Sequence, residues 1–154
     1  MIVAISIVAL SLSLAPTLLA TYRRVGTSDR DSATIDIATI KDSNLYVRGF
    51  TTHALSGVPG SVSVGGFMAI VTVRGRSIHL TQADTADIYE RCVIDIAFSP
   101  DYTKAEVSDT SCIWGLNAGF AGNYVKEVLS EDAQQRLVEK YGPCFGIPEG
   151  QCRE

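Results

Sequence analysis

Hydrophobic and polar residues alternate with a period of two along most of the chain from residue 33 onward, a pattern that indicates half-buried β-strands. Ala33, Ile35 and Ile37 share one face of the first such run. Further alternating or β-rich runs cover residues 45–50, 62–73, 77–81, 89–98, 104–107 and 112–124. The polar residues 21–32 are expected to be an exposed lead-in to these strands. The pattern therefore predicts a mainly β protein of about seven or eight strands.

Turn signals between these runs favour an antiparallel sheet, closed into a barrel or folded as a sandwich. No alternation of strands and helices is present, which disfavours a parallel sheet. Gly65 and Gly66 lie inside a long strand and predict a bulge or a sharp bend. Gly115 and Gly119 fall inside the last run. Glycines inside strands suit the corners of a barrel, which we therefore favour over a sandwich.

One C-terminal helix is predicted after the last strand. Ser130 is suited to cap its first turn, and Gly142 is suited to end it before a proline. Glu131 and Asp132 are acidic residues of the kind that stabilise a helix N-terminus. The apolar stripe expected to dock on the barrel consists of Ala133, Leu137, Val138 and Tyr141.

The first twenty residues have the pattern of a secretory signal. Residues 2–15 are apolar and uncharged, Pro16 follows, and Ala20 is a small residue before the expected cleavage site. We expect residues 1–20 to be a signal peptide and residues 21–154 a single barrel domain, periplasmic or secreted. An uncleaved membrane anchor is the alternative. After cleavage no membrane association is expected.

Composition narrows the classes of partner. The chain has 13 Lys and Arg against 17 Asp and Glu, a formal charge of −4, and none of these residues lies in the leader. At 46% hydrophobic and 19% charged residues the chain is not disordered. Without a basic cluster, nucleic acid and anionic membrane surfaces are not expected as partners.

Four cysteines, Cys92, Cys112, Cys144 and Cys152, allow three disulfide connectivities. We predict the sequence-local pairs Cys92–Cys112 and Cys144–Cys152, which suit an oxidising compartment. No two cysteines have metal-ligand spacing, so no zinc site or other metal site is expected. Four reduced, buried thiols are the alternative, which fits poorly with a secretory leader.

The sequence holds no catalytic motif, and we predict neither enzyme activity nor a cofactor. His53 and His79 each lie alone in or beside a strand, and no nucleophile-elbow motif accompanies them. Asp95 stands between two isoleucines and is expected to point to solvent. Asp84 and Asp87 lie in a polar loop, where solvated carboxylates are the simplest expectation.

Binding is the function that remains. Large apolar side chains are expected to fill the barrel: Phe67, Ile94, Ile96, Trp114, Leu116 and Phe120. A filled interior favours recognition of another protein by loops or by the outer surface, and the candidate contact loops are residues 55–60 and 81–87. We single out a partner-binding loop with the residues His53, Ser56, Gly57 and Pro59. The alternative is a periplasmic carrier that holds a small apolar ligand inside the barrel.

Residues 92–124 combine a cysteine-bearing strand, a second cysteine, the run Gly115-Leu116-Asn117 and the element Gly122-Asn123-Tyr124. This segment resembles small exported bacterial β proteins that are similar to periplasmic inhibitors of c-type lysozyme. The resemblance implies a small disulfide-bonded barrel that binds lysozyme or another cell-wall hydrolase. Those inhibitors insert an SGSGAKY-like loop into the lysozyme cleft, and this chain has no such loop. No inhibitory residue is therefore carried over.

Overall fold

The computed structural model describes residues 19–26, 31–39, 44–57, 59–72, 74–85, 91–114 and 118–140. Its strands are β1 (Leu19–Arg24), β2 (Ser32–Thr39), β3 (Asn44–Ala54), β4 (Val62–Thr72), β5 (Ser77–Leu80), β6 (Val93–Phe98), β7 (Lys104–Thr110) and β8 (Gly122–Lys126). They form one antiparallel sheet in the order β4-β3-β2-β1-β8-β7-β6-β5. The sheet is bent into a nearly closed barrel, which agrees with the predicted strand number and the barrel form.

The core lies inside the barrel, where alternate residues of each strand point. In β6 the buried residues are Ile94, Ile96 and Phe98, and in β7 they are Ala105 and Val107, as their alternation predicts. Cys92, directly before β6, is buried and forms a disulfide with Cys112 across a Cα–Cα distance of 4.4 Å. That predicted pairing is confirmed. Cys144 and Cys152 lie outside the described residues.

The first strand contradicts the expectation of an exposed lead-in at residues 21–32. Tyr22 is 1% exposed, and β1 lies at the centre of the sheet between β2 and β8. Two arginines made this strand look like a solvated segment, but Arg23 pairs with Glu127 and Arg24 reaches the barrel end. β1 begins at Leu19, two residues before the predicted cleavage site. Residues 1–18 lie outside the described part of the chain.

Residues 112–124 do not form one strand. Of the residues described in this range, only those of β8 are in a strand, and residues 112–114 and 118–121 are irregular. Ser111 has a φ of 57° and Gly122 a φ of 144°, so the backbone turns at both ends of this segment. The apolar residues of this segment alternate because side chains such as Trp114 and Phe120 point into the end of the barrel, although the backbone at these residues is not in a strand.

The predicted bulge at Gly65-Gly66 is also wrong. β3 and β4 pair without interruption from Asn44↔Thr72 to Ala54↔Val62, so the strand has no bulge. A Cβ at Gly65 would lie 2.7 Å from Trp114 Cβ. The glycine therefore serves close packing rather than a break in the hydrogen-bond ladder.

The predicted helix begins where expected, as α1 (Glu131–Lys140). Ser130 Oγ accepts a hydrogen bond of 3.3 Å from the backbone N–H of Ala133, which satisfies one amide of the first turn. The side chains of Leu137 and Val138 lie outside the described part of the chain, and so do Tyr141 and Gly142 entirely. The docking of the predicted stripe stays a prediction.

Candidate functional site

One end of the barrel is closed by the end segment, which we define as residues 111–114 and 118–121. Its Trp114 and Phe120 are buried, with ring centroids 4.9 Å apart in an edge-to-face arrangement. Phe67 of β4 completes the cluster at 4.9 Å from Phe120 and 6.0 Å from Trp114. Gly49 leaves room for these rings, since a Cβ there would lie 2.1 Å from Phe67 Cε1. The interior at this end is occupied by aromatic side chains.

Asp109 holds the end segment in place. One carboxylate oxygen, Oδ2, accepts hydrogen bonds from Trp114 Nε1 at 3.0 Å and from the backbone N–H of Phe120 at 2.7 Å. The Cys92–Cys112 disulfide ties the start of the segment to β6. The sequence analysis missed Asp109, whose partners lie five and eleven residues further along the chain.

Arg24 binds the second part of the end segment, residues 118–121. Its Nη1 donates to the carbonyl oxygen of Gly119 at 2.8 Å, and Thr51 Oγ1 donates to the same oxygen at 2.9 Å. Nη2 of Arg24 lies 3.3 Å from Asp31 Oδ1, and His53 Nδ1 lies 3.4 Å from that oxygen. Arginine, carboxylate and imidazole thus meet at the barrel mouth, with the His53 side chain 31% exposed.

This cluster lies at one end of an open surface depression of about 1150 Å³, which we call the outer depression. It runs over the outer face of β8, β7 and β6 towards Ser99. The side chains of Val25 and Val125 in it are 56% and 41% exposed. Its lining comprises Arg24, Val25, Asp31, His53, Ala97, Phe98, Ser99, Lys104, Ala105, Glu106, Ala121, Gly122, Asn123, Tyr124 and Val125.

The four residues of the predicted partner-binding loop belong to a strand end and to the connection that follows it. Ser56, Gly57 and Pro59 are exposed in the connection between β3 and β4. His53 is still in β3, next to Asp31, and lines the outer depression. Of the four, only His53 belongs to the lining of that depression.

The second predicted loop has a structural role at its start. Asp84 Oδ2 accepts hydrogen bonds from the backbone N–H of Thr81 at 2.7 Å and from its hydroxyl at 3.0 Å. Thr85 is buried. Asp84 therefore stabilises a turn, and its carboxylate is engaged within the loop. Asp87 lies outside the described residues.

His79 and Asp95 form a pair that neither residue's local sequence indicates. They are opposite each other in the β5–β6 ladder, and His79 Nδ1 lies 2.6 Å from Asp95 Oδ1 on the outer face. Ser108 is opposite Asp95 on the other side, in β7. The carboxylate thus stands between imidazole and hydroxyl, whereas a catalytic triad needs the imidazole in the middle. As arranged, the imidazole is not positioned to activate this serine.

Two perturbed groups belong to the opposite end of the barrel. Burial, and then the nearby Tyr102 and Asp101, raise the pKa of Tyr22 to about 12. The Tyr22 hydroxyl donates to the Tyr102 carbonyl oxygen at 2.8 Å. Hydrogen bonds from the hydroxyl of Ser99 and from Thr103 lower the pKa of exposed Asp101 to about 2. These groups stabilise a β6–β7 turn and the barrel base, away from the end segment.

Two further findings concern metals and membranes. Within the described ranges, no three His, Cys, Asp or Glu side chains are grouped as metal ligands. In that same part of the chain, no helix is long and apolar enough to span a bilayer.

Comparison with known proteins adds no family assignment. No protein-family model, no curated protein and no solved structure matches this chain.

Proposed function

We propose that the protein is an exported module that binds another protein through the outer depression. The supporting observation is the filled barrel end, where Phe67, Trp114 and Phe120 occupy the space that a small ligand would need. With the interior occupied, recognition falls to the outer surface. The Cys92–Cys112 disulfide fits an oxidising compartment, in line with export.

The outer depression has the mixed chemistry of a protein-binding surface. Two exposed valines, Val25 and Val125, provide apolar contact area. Lys104 and Glu106 supply charges of both signs, and so does the ion pair of Arg24 with Asp31. Exposed apolar side chains interspersed with charges of both signs are compatible with a protein interface.

The partner class to test first is a cell-wall hydrolase such as lysozyme, because that is what the sequence resemblance implies. The exported protein is titrated into a panel of lysozymes and bacterial cell-wall hydrolases, and residual activity is measured. Stoichiometric inhibition supports the proposal. Absence of inhibition and of binding across the panel removes this partner class.

A matched pair of variants tests the surface itself. Val25 in the outer depression and Val64 on β4 are 56% and 55% exposed, so both accept lysine without loss of buried area. We expect Val25→Lys to weaken partner binding by about tenfold or more, since a charged side chain would replace an apolar contact of the interface. Val64→Lys should leave partner affinity unchanged. Equal effects of the two variants would contradict a site in the outer depression.

The carrier alternative requires the end segment to leave the barrel. Apolar dyes and the organic extract of the exported protein test it directly. Bound lipid or saturable dye binding that depends on Trp114 would support a carrier. An empty extract and no dye binding would leave protein recognition as the proposal.

A further inference from the structure

β4 and β5 are the two edge strands of the nearly closed sheet; they approach each other and are linked by the turn closed by the Arg74–Ser77 bridge, but they form no ladder with one another. Within the described residues, no strand pairs with the edge of β4 that faces away from β3. Its eleven residues include no charged residue and no proline. Soluble proteins commonly protect edge strands with lysine, proline or bulges, and β4 has none of these.

The outer face beside this edge is apolar. Val62 and Val64 of β4 are 42% and 55% exposed, and Phe50 of the neighbouring β3 is 45% exposed. Phe50 is opposite Gly66 in the ladder, and a Cβ at Gly66 would lie 4.0 Å from Phe50 Cδ2. The phenyl ring therefore borders an empty side-chain position at the edge of the sheet.

We propose that residues 62–66 pair with the same residues of a second copy, antiparallel about a twofold axis at Val64. In this register Val64 meets its own counterpart, and Val62 lies opposite Gly66 of the second copy. Across the two sheets, Phe50 and Gly66 of one copy and Val62 of the second copy then form a row of a large, a small and a large side chain. The glycine leaves the space that the incoming valine fills.

The occupant is a second copy because the segment is complementary to itself. A twofold axis places the same residues of the two copies on either side of it. A charged residue close to the axis would therefore lie near an identical charge in the second copy, which is unfavourable. Residues 62–66, VSVGG, carry none. The pairing also continues the β3–β4 ladder, whose register is regular over its whole length. This inference is independent of partner binding in the outer depression.

The first test is the solution mass of the exported protein as a function of concentration, by sedimentation equilibrium up to about 0.5 mM chain. A short edge pairing should dimerise weakly, so the mass should rise from one chain towards two. Val64→Lys should weaken dimerisation by about tenfold or more, and Val25→Lys by less than about twofold. A mass of one chain at every concentration would overturn the proposal. So would a dimer that Val25→Lys dissociates and Val64→Lys does not.

The second test reads the register through disulfide trapping. In the proposed dimer the two copies of Val64→Cys face each other, within reach of an intermolecular disulfide on incubation with oxidised glutathione. The two copies of Val62→Cys would be four residues apart along the strands, about 13 Å, which is too far. A covalent dimer on non-reducing gels with Val64→Cys and not with Val62→Cys supports the inference. No difference between the two variants, or the reverse preference, would refute the register and with it the inference.

Discussion

Gly49 offers a stringent test of how the barrel end is packed. In the structure a Cβ at this position would lie 2.1 Å from Phe67 Cε1 and 2.7 Å from Phe120 Cε1. Carbon atoms in contact are normally about 3.5–4.0 Å apart, so Gly49→Ala would force the Phe67 ring back by about 1.5 Å. Phe120 and Trp114 hold that ring from the other side.

The expected net effect of Gly49→Ala is destabilisation. Overpacking of a well-packed core costs about 1–3 kcal/mol. The loss of glycine flexibility in the unfolded chain returns about 0.4–1 kcal/mol. Because the overlap with Phe67 is severe, we expect a loss of about 2 kcal/mol in the free energy of unfolding. For a domain of this size that lowers Tm by about 4–8 °C.

Urea unfolding of the disulfide-bonded protein provides the assay. Trp114 is the only tryptophan of the chain and belongs to the cluster, so its fluorescence reports on the affected region. Phe67→Leu shortens the side chain that meets the new methyl group, so the double variant should lose less stability than the sum of the single losses. An unchanged or higher stability of Gly49→Ala, or strict additivity with Phe67→Leu, would refute this packing argument.

Three further predictions concern the disulfide, the end segment and alkaline pH. Cys92→Ser and Cys112→Ser should each lower the free energy of unfolding by about 2–4 kcal/mol. The double variant should lose no more, because all three variants lack the same disulfide. Additive losses in urea unfolding would contradict the pairing. Asp109→Ala should lower the free energy of unfolding by about 2–4 kcal/mol, because the Trp114 indole and the Phe120 amide lose their charged acceptor. Near-wild-type stability in urea unfolding would argue against the anchoring role of Asp109. The pKa of Tyr22 is raised on folding, so the native state holds this proton when the unfolded chain has released it. Its contribution to stability is therefore complete below about pH 10 and is lost as pH rises through about 12. Tyr22→Phe should make the alkaline loss of stability less steep, and an unchanged slope in unfolding experiments would exclude this cause.

The sequence alone determined the strands whose alternation is local. In β6 and β7 each inward residue has an apolar neighbour two positions away, and the pairs of β3 with β4 and of β6 with β7 adjoin in the chain. Cys92 and Cys112 could be matched because they flank one such hairpin. The periodicity of two thus predicts side-chain direction wherever strand partners are close in sequence.

The tertiary structure decided the features that depend on distant partners. β1 was missed because Arg23 and Arg24 look solvated until Glu127 and the Gly119 carbonyl come beside them. His79 and Asp95 were weighed singly, and only the β5–β6 register makes them a pair.

The segment after Cys112 shows the same limit most clearly. Its apolar alternation correctly indicated that Trp114 and Phe120 are buried, but not that residues 112–114 and 118–121 lie at the barrel end outside any strand. The alternation of apolar and polar residues indicates which side chains are buried. It does not indicate which backbone groups are hydrogen-bonded to one another. That choice depends on closure of the barrel and on Asp109, whose Oδ2 accepts hydrogen bonds from the indole of Trp114 and from the backbone N–H of Phe120.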